Sequence, residues 1–125
     1  MEGFSVKIKE TSKELSAREK IRIKDTSNAI KLDEATAGAP VVIAVDMYAV
    51  LEIHNEKSDN KDYLNYVIVD KGGNKFVTGS ESFWTSFKDI VDEMMDAGEE
   101  DFEIEVYRKD SKNYKGKQFI TCSIV

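Results

Sequence analysis

The stretch 75-KFVTGSESFWTSFKDIVDEMMDAG-98 decides the fold. Its first four residues read as a short apolar strand, Lys75 to Thr78, and Gly79-Ser80 carries the chain directly into an amphipathic helix. Phe83, Phe87, Ile90, Val91 and Met94 recur at the three-and-four interval that sets side chains on one helical face, so that face is expected to be buried. Ser80 suits the N-cap and Glu81 the first turn, with Thr78-x-x-Glu81 as a competing capping box two residues earlier. Gly98 suits the left-handed position past the end, which predicts a helix from Glu81 to Ala97 roughly 25 Å long. Such a rod can close one side of a small sheet.

Outward from this unit the chain reads as strands. Upstream, Val45, Met47, Ala49, Leu51 and Ile53 alternate with Asp46, Tyr48, Val50, Glu52 and His54, the pattern of a long half-buried strand from Val41 whose Tyr48 and His54 point outward. A polar loop, Asn55 to Lys61, leads to a second strand at Asp62 to Asp70, and Lys71-Gly72-Gly73-Asn74 is a hairpin turn because glycine supplies positive φ without steric cost. Downstream, Phe102, Ile104 and Val106 alternate with Glu103, Glu105 and Tyr107, and Ile120, Cys122 and Ile124 alternate with Phe119, Thr121 and Ser123. The lysine-rich loop Lys109 to Gly116 joins these last two strands. The first forty residues carry weaker patterns. An edge strand is expected in Phe4 to Lys9, a second alternating segment in Lys20 to Lys24, and a helical turn or loop between Ala29 and Gly38, before the only proline, Pro40.

From residue 41 the expected order is therefore strand, strand, strand, helix, strand, strand. That is the order of an OB-fold, a five-stranded, partly open Greek-key barrel whose second and third strands and whose loops bind oligonucleotides and oligosaccharides. The expectation is a mainly β fold with one helix, an OB-fold-like barrel over 41–125 and an N-terminal extension, 1–40, of one or two extra strands. A length of 125 residues with 41% hydrophobic residues suits one domain with a single core. No apolar run approaches the ~18 residues that cross a bilayer, and Met-Glu-Gly-Phe-Ser lacks the blocks of a signal peptide, so no membrane partner is expected and the protein is read as intracellular. The single cysteine, Cys122, lies within an alternating strand and reads as a buried thiol in a reducing compartment.

Charge is the most informative chemical feature. Asp89, Asp92, Glu93, Asp96, Glu99, Glu100, Asp101, Glu103 and Glu105 form an acidic stretch without an intervening lysine or arginine, and Arg108 to Lys117 then carries five basic residues and one acid. A net charge of −6 argues against bulk electrostatic coating of nucleic acid, whereas phosphate binding needs only a local positive patch. Asp92, Glu93 and Asp96 sit in the C-terminal half of the helix, where the macrodipole disfavours negative charge, and a basic protein partner is one reason for them to be there. Catalytic signals are nearly absent. His54 is the sole histidine, no glycine-rich phosphate loop is present, and the cysteine and histidine ligands of a typical metal site are missing, so neither an enzyme nor a cofactor is expected. A hydrolase built from carboxylates and magnesium is the one enzymatic reading left.

The segment 39–125 resembles the small single-stranded DNA-binding proteins of tailed bacteriophages, including those of protein-primed phages. The likeness lies in VDMYAVLEIHNEKS, in the hairpin DKGGNKFVTG, in the helix SFWTSFKDIVDEM, and in FEIEVYRKDSKNYKGKQFITCSIV with its lysine-and-serine loop. The resemblance implies an OB-fold, sequence-independent binding of single strands during phage or mobile-element DNA replication in the bacterial cytoplasm, and no catalysis or cofactor. Residues 1–40 have no counterpart in it, and the chain lacks the acidic tail by which cellular relatives recruit partners, so a replication partner would have to use the acidic helix end.

The expected binding site follows from strand parity. With Met47, Leu64 and Val106 inside, Tyr48, Tyr63 and Tyr107 face out, and with Tyr114 they are expected to form a base-stacking platform flanked by Lys57, Lys61, Arg108, Lys109, Lys112, Lys115 and Lys117. The competing reading is an acidic protein-interaction or inhibitor protein of a phage or mobile element, using Asp89 to Glu105 to mimic DNA phosphates.

Overall fold

Local signals carry the element order from residue 41 onward; before it they locate the edge strand at Phe4 but misassign Lys20 to Lys24. The computed structural model describes residues 3–57, 59, 61–111 and 116–125. The chain forms β1 (Phe4–Thr11), α1 (Ala17–Lys24), β2 (Ile30–Lys31), α2 (Leu32–Ala35), β3 (Val41–Asn55), β4 (Asp62–Asp70), β5 (Lys75–Thr78), α3 (Glu81–Asp96), β6 (Glu103–Asp110) and β7 (Gln118–Ile124).

β3 organises the sheet. It pairs antiparallel with β4 from Val45 to His54, with β6 over Val41 to Ala44, and with β1 over Ala49 to Asn55. One long strand thus gives one edge to β4 and divides the other between β6 and β1. The hydrogen-bonded order is β2-β5-β4-β3-β6-β7, with β1 added at β3, and the sheet curls into an incomplete, barrel-like wrap.

α3 fills the concave side. Ser80 Oγ accepts from the Phe83 N–H at 3.2 Å, which fixes the start, and the left-handed Gly98, φ 73°, ends the helix one turn past Glu93. Phe83, Phe87 and Val91 are buried against Ile43, Val45, Ile68, Phe76, Ile104, Val106, Ile120 and Cys122, with Ile90 packed at the margin. Two serines fasten the helix to the free edge of β7. Ser82 Oγ donates to the Ile120 carbonyl at 2.9 Å, and Ser86 Oγ lies 2.8 Å from Thr121 Oγ1.

The convex side has its own core, in which Met47, Ala49, Leu51, Ile53, Val67 and Val77 meet Ile23 of α1, with Val6 and Ile8 of β1 alongside. This corrects the expectation for Lys20 to Lys24, which is helical and not a strand. Five residues of period-2 alternation are outweighed by a capping box: Glu19 N–H donates to Ser16 Oγ at 3.2 Å, and Ser16 N–H donates to the Glu19 carboxylate at 3.1 Å. The helix then buries only Ile23. The second N-terminal strand is β2, which runs parallel to β5, with Ile30 opposite Phe76. Of the helical turn or loop expected between Ala29 and Gly38, α2 is the helical turn.

Candidate functional site

Among the described residues the tyrosines expected to form one platform are not brought together, and a bulge in β3 turns Tyr48 away from it. Val45 stands opposite Asp70 and Met47 opposite Val69, so Asp46 is an extra residue on β3. A one-residue insertion exchanges the faces of everything beyond it. Val45 therefore shares the concave core with Tyr48, while Met47, Ala49, Leu51 and Ile53 turn to the convex core. Tyr48 is only 4% exposed, a correction to its placement on an outer face. Its ring meets Trp84 and Phe87 edge-on at 5.3 and 5.7 Å between centroids, and Trp84 in turn stacks on Tyr66 at 4.7 Å. The hydroxyl donates to Glu10 Oε2 at 2.8 Å and accepts from Lys88 Nζ at 3.3 Å. Burial, then the Glu10 hydrogen bond, pushes the Tyr48 phenol above its ordinary value. Hydrogen bonding to Asp92, 2.9 Å away, raises the Lys88 ammonium. Trp84 was legible in the sequence as the start of a Trp84-Phe87-Val91 stripe at three-and-four spacing, one position off the stripe through Phe83.

Tyr63 is half-buried on the convex face, opposite Ile53 and packed against that core. It stands toward the C-terminal end of β3, whereas β6 pairs only with the N-terminal end, so Tyr63 and Tyr107 belong to opposite ends of that strand. The loop cations beside Tyr63 face acids. Lys61 Nζ lies 3.4 Å from Glu56, and His54 sits between Asp62 at 2.7 Å and Glu56 at 2.6 Å. Those two hydrogen bonds, Asp62 first, raise the His54 pKa, and the His54 hydrogen bond lowers that of Glu56. Lys57 is exposed, with its backbone N–H on Asn55 Oδ1.

The β6–β7 hairpin keeps the other half of the expected site together. Val106 pairs with Cys122, and Ile104, Val106, Ile120 and Cys122 all point into the concave core. Alternation then puts Tyr107, Lys109 and Phe119 on the convex face, which α1 and β1 leave uncovered here. Lys109 is directly opposite Phe119, which remains 36% exposed, and Tyr107 is half-buried with its hydroxyl 2.9 Å from Ser123 Oγ. Phe119 was missed as a site residue although its alternation with Ile120 marked it as outward. Arg108 turns the other way. Its guanidinium donates to the Asp33 carbonyl and, at 3.4 Å, to Thr36 Oγ1, which ties β6 to α2 and removes Arg108 from the expected cationic rim. Between these elements lies a half-open cleft of about 370 Å³ lined by Asp33, Ser80, Arg108, Gln118, Phe119 and Ile120. Lys117 is exposed at the base of β7, and its carbonyl accepts from the Ser111 N–H at 2.9 Å. Lys112, Tyr114 and Lys115 lie outside the described residues.

β6 changes charge along its length, from Glu103 and Glu105 at its start to Arg108 and Lys109 before the closing Asp110. Among the described residues no three His, Cys, Asp or Glu side chains group so as to hold a metal ion. Burial pushes the Cys122 thiol up to about 12, and among the described residues no helix is long and apolar enough to cross a membrane. Set against known families, curated proteins and solved structures, the chain matches none of them.

Proposed function

We propose that this chain binds single-stranded DNA without sequence preference, as an OB-fold-like module acting in phage or mobile-element replication, and that it does so on the convex face of the β6–β7 hairpin. The run β5-β4-β3-β6-β7, with α3 inserted between β5 and β6, supports the OB-like reading, since it is the strand order of a Greek-key barrel left open between its two end strands. β2 occupies the edge of β5, and α3 occupies that of β7. The replication role rests on the resemblance of residues 39–125 to the phage proteins.

The observation that carries the reading is Phe119, an exposed ring on an uncovered sheet face, directly opposite Lys109 and diagonal to Tyr107, with exposed Lys117 two residues before it in the chain. An aromatic face accepts any base, which makes stacking tolerant of sequence, and the lysines neutralise the phosphates between successive bases. Phe119 also lines the adjoining cleft, together with Asp33, Arg108 and Gln118. Asp110 is taken up by Gln118 Nε2 at 3.0 Å and so is partly screened from an approaching phosphate.

Fluorescence anisotropy with labelled oligo-dT tests this. Phe119→Ala should weaken binding about 5- to 150-fold at every salt concentration, from a stacking contribution of about 1–3 kcal/mol per base. Lys109→Ala with Lys117→Ala should instead flatten the slope of log affinity against log salt by about 1.4, at roughly 0.7 per phosphate on a single strand. Unchanged binding in both variants, or a preference for duplex, would defeat the assignment.

A further inference from the structure

The acidic end of β6 adjoins a second concavity. A half-open cleft of about 360 Å³ lies under the C-terminal end of α3, with Val45, Met47, Val91 and Phe102 on its walls and Met95, 61% exposed, at its lip. Four carboxylates rim it. Two are already engaged, Asp46 with Lys13 at 2.6 Å and Asp101 with Lys71. Glu99 and Glu100 are exposed and have no ion-pair partner among the described residues. An apolar hollow with uncompensated negative charge on its lip favours an apolar side chain carried between cations.

The molecule displays such a segment. α1 advances 100° per residue, so Ile21 and Ile23 cannot share a face, and with Ile23 buried Ile21 is left 66% exposed. Arg18 and Lys24 stand one turn before and one turn after Ile21 on the same outward face, and both are exposed. A lone isoleucine between two cations on a solvent-facing helix is the chemical complement of the cleft. α1 is itself held in place, by its packing through Ile23 and by Lys75 Nζ, which donates to the carbonyls of Arg22 and Asp25. Ile21 is therefore available to another molecule and not to the cleft of its own copy.

We propose that the chain self-associates, the Arg18-Ile21-Lys24 face of α1 in one copy docking into the cleft of a second copy, with Arg18 and Lys24 against Glu99 and Glu100. The two surfaces differ, so the contact is heterologous and can repeat from copy to copy unless a two-fold exchange closes it. It is independent of the nucleic-acid face, which lies at the opposite end of β6.

Sedimentation velocity across a dilution series, without DNA, tests the contact. The wild-type chain should shift to faster species as concentration rises. Ile21→Asp should weaken the association about tenfold to a hundredfold by removing the buried side chain. Arg18→Glu with Lys24→Glu should disperse the copies, as should Glu99→Lys with Glu100→Lys. An equimolar mixture of these two charge variants should associate, because the acidic α1 of the first then meets the basic cleft of the second, and the unchanged α1 of the second meets the unchanged cleft of the first. A wild-type chain monomeric throughout, an association indifferent to these substitutions, or a mixture that fails to associate would each overturn the proposal. Retained oligo-dT affinity in the dispersed variants would show that the nucleic-acid reading stands apart from this one.

Discussion

Replacing Tyr48 separates the two places where its ring could lie. Buried, the ring packs edge-on against Trp84 and Phe87 at 5.3 and 5.7 Å. Truncating a core aromatic to alanine costs about 3–5 kcal/mol. The two edge-on contacts, each adding about 0.5–1.5 kcal/mol beyond the area they bury, put Tyr48→Ala in the upper part of that range. Tyr48→Phe keeps the ring and removes only the hydroxyl. Its partners Glu10 and Lys88 retain side-chain exposures of 44% and 34% and stand 3.7 Å apart, so water and their own pairing replace most of what the hydroxyl supplied. That substitution should cost about 1 kcal/mol. Urea unfolding followed by Trp84 fluorescence reads both, since Trp84 is the only tryptophan and packs on Tyr48. At a slope of about 1–3 kcal/mol per molar, Tyr48→Ala should lower the midpoint by at least about 1 M. An unchanged midpoint together with a large loss of oligo-dT affinity would place the ring on the surface and refute the bulge argument.

Ser16→Ala removes the capping box of α1 and should destabilise the fold by about 1 kcal/mol in the same urea assay; a strand at residues 20–24 would leave the midpoint where it is. His54 has its folded pKa raised above the ordinary 6.5, so its contribution is complete below that value and is lost as pH rises through the raised one. Wild type should therefore exceed His54→Asn in stability most at mildly acid pH, with the gap closing as the solution becomes alkaline, which thermal melts across a pH series will show. Cys122, its thiol held to about 12 by burial, should resist alkylation by iodoacetamide in the native state and react once unfolded in urea, with mass spectrometry as the readout.

Much of the fold was legible because its determinants are local. A helical stripe with Ser80 before it and Gly98 after it specifies α3 without reference to anything distant, and the expected end at Ala97 differs by one residue from the observed Asp96. The Gly72-Gly73 turn is equally local. Gly73 adopts φ 86°, and Asp70 Oδ1 accepts from the N–H groups of Gly72 and Asn74 at 2.9 and 2.8 Å. Strand parity is local as well, which is why β6 and β7 turned inward and outward as their alternation required. The site was half legible for the same reason. Tyr107 followed from unbroken alternation, Lys109 was expected in the loop but stands on β6, which runs on to Asp110, and Tyr48 and Tyr63 depended on what happens within and around β3.

By itself, then, the sequence determined which segments become strand or helix after residue 41, in what order, and where the charge collects, since each follows from spacing, caps and turns over a few residues. Tertiary structure alone decided which side of β3 is which. Asp46 looks like any polar residue in an alternating run, and only its lack of a partner on β4, between Val45 opposite Asp70 and Met47 opposite Val69, makes it a bulge. Tertiary structure also decided that α1 covers the convex face over β3 and β4 and leaves it open over β6 and β7. That choice depends on which long-range surfaces bury Ile23 most fully, a comparison no short window of sequence contains.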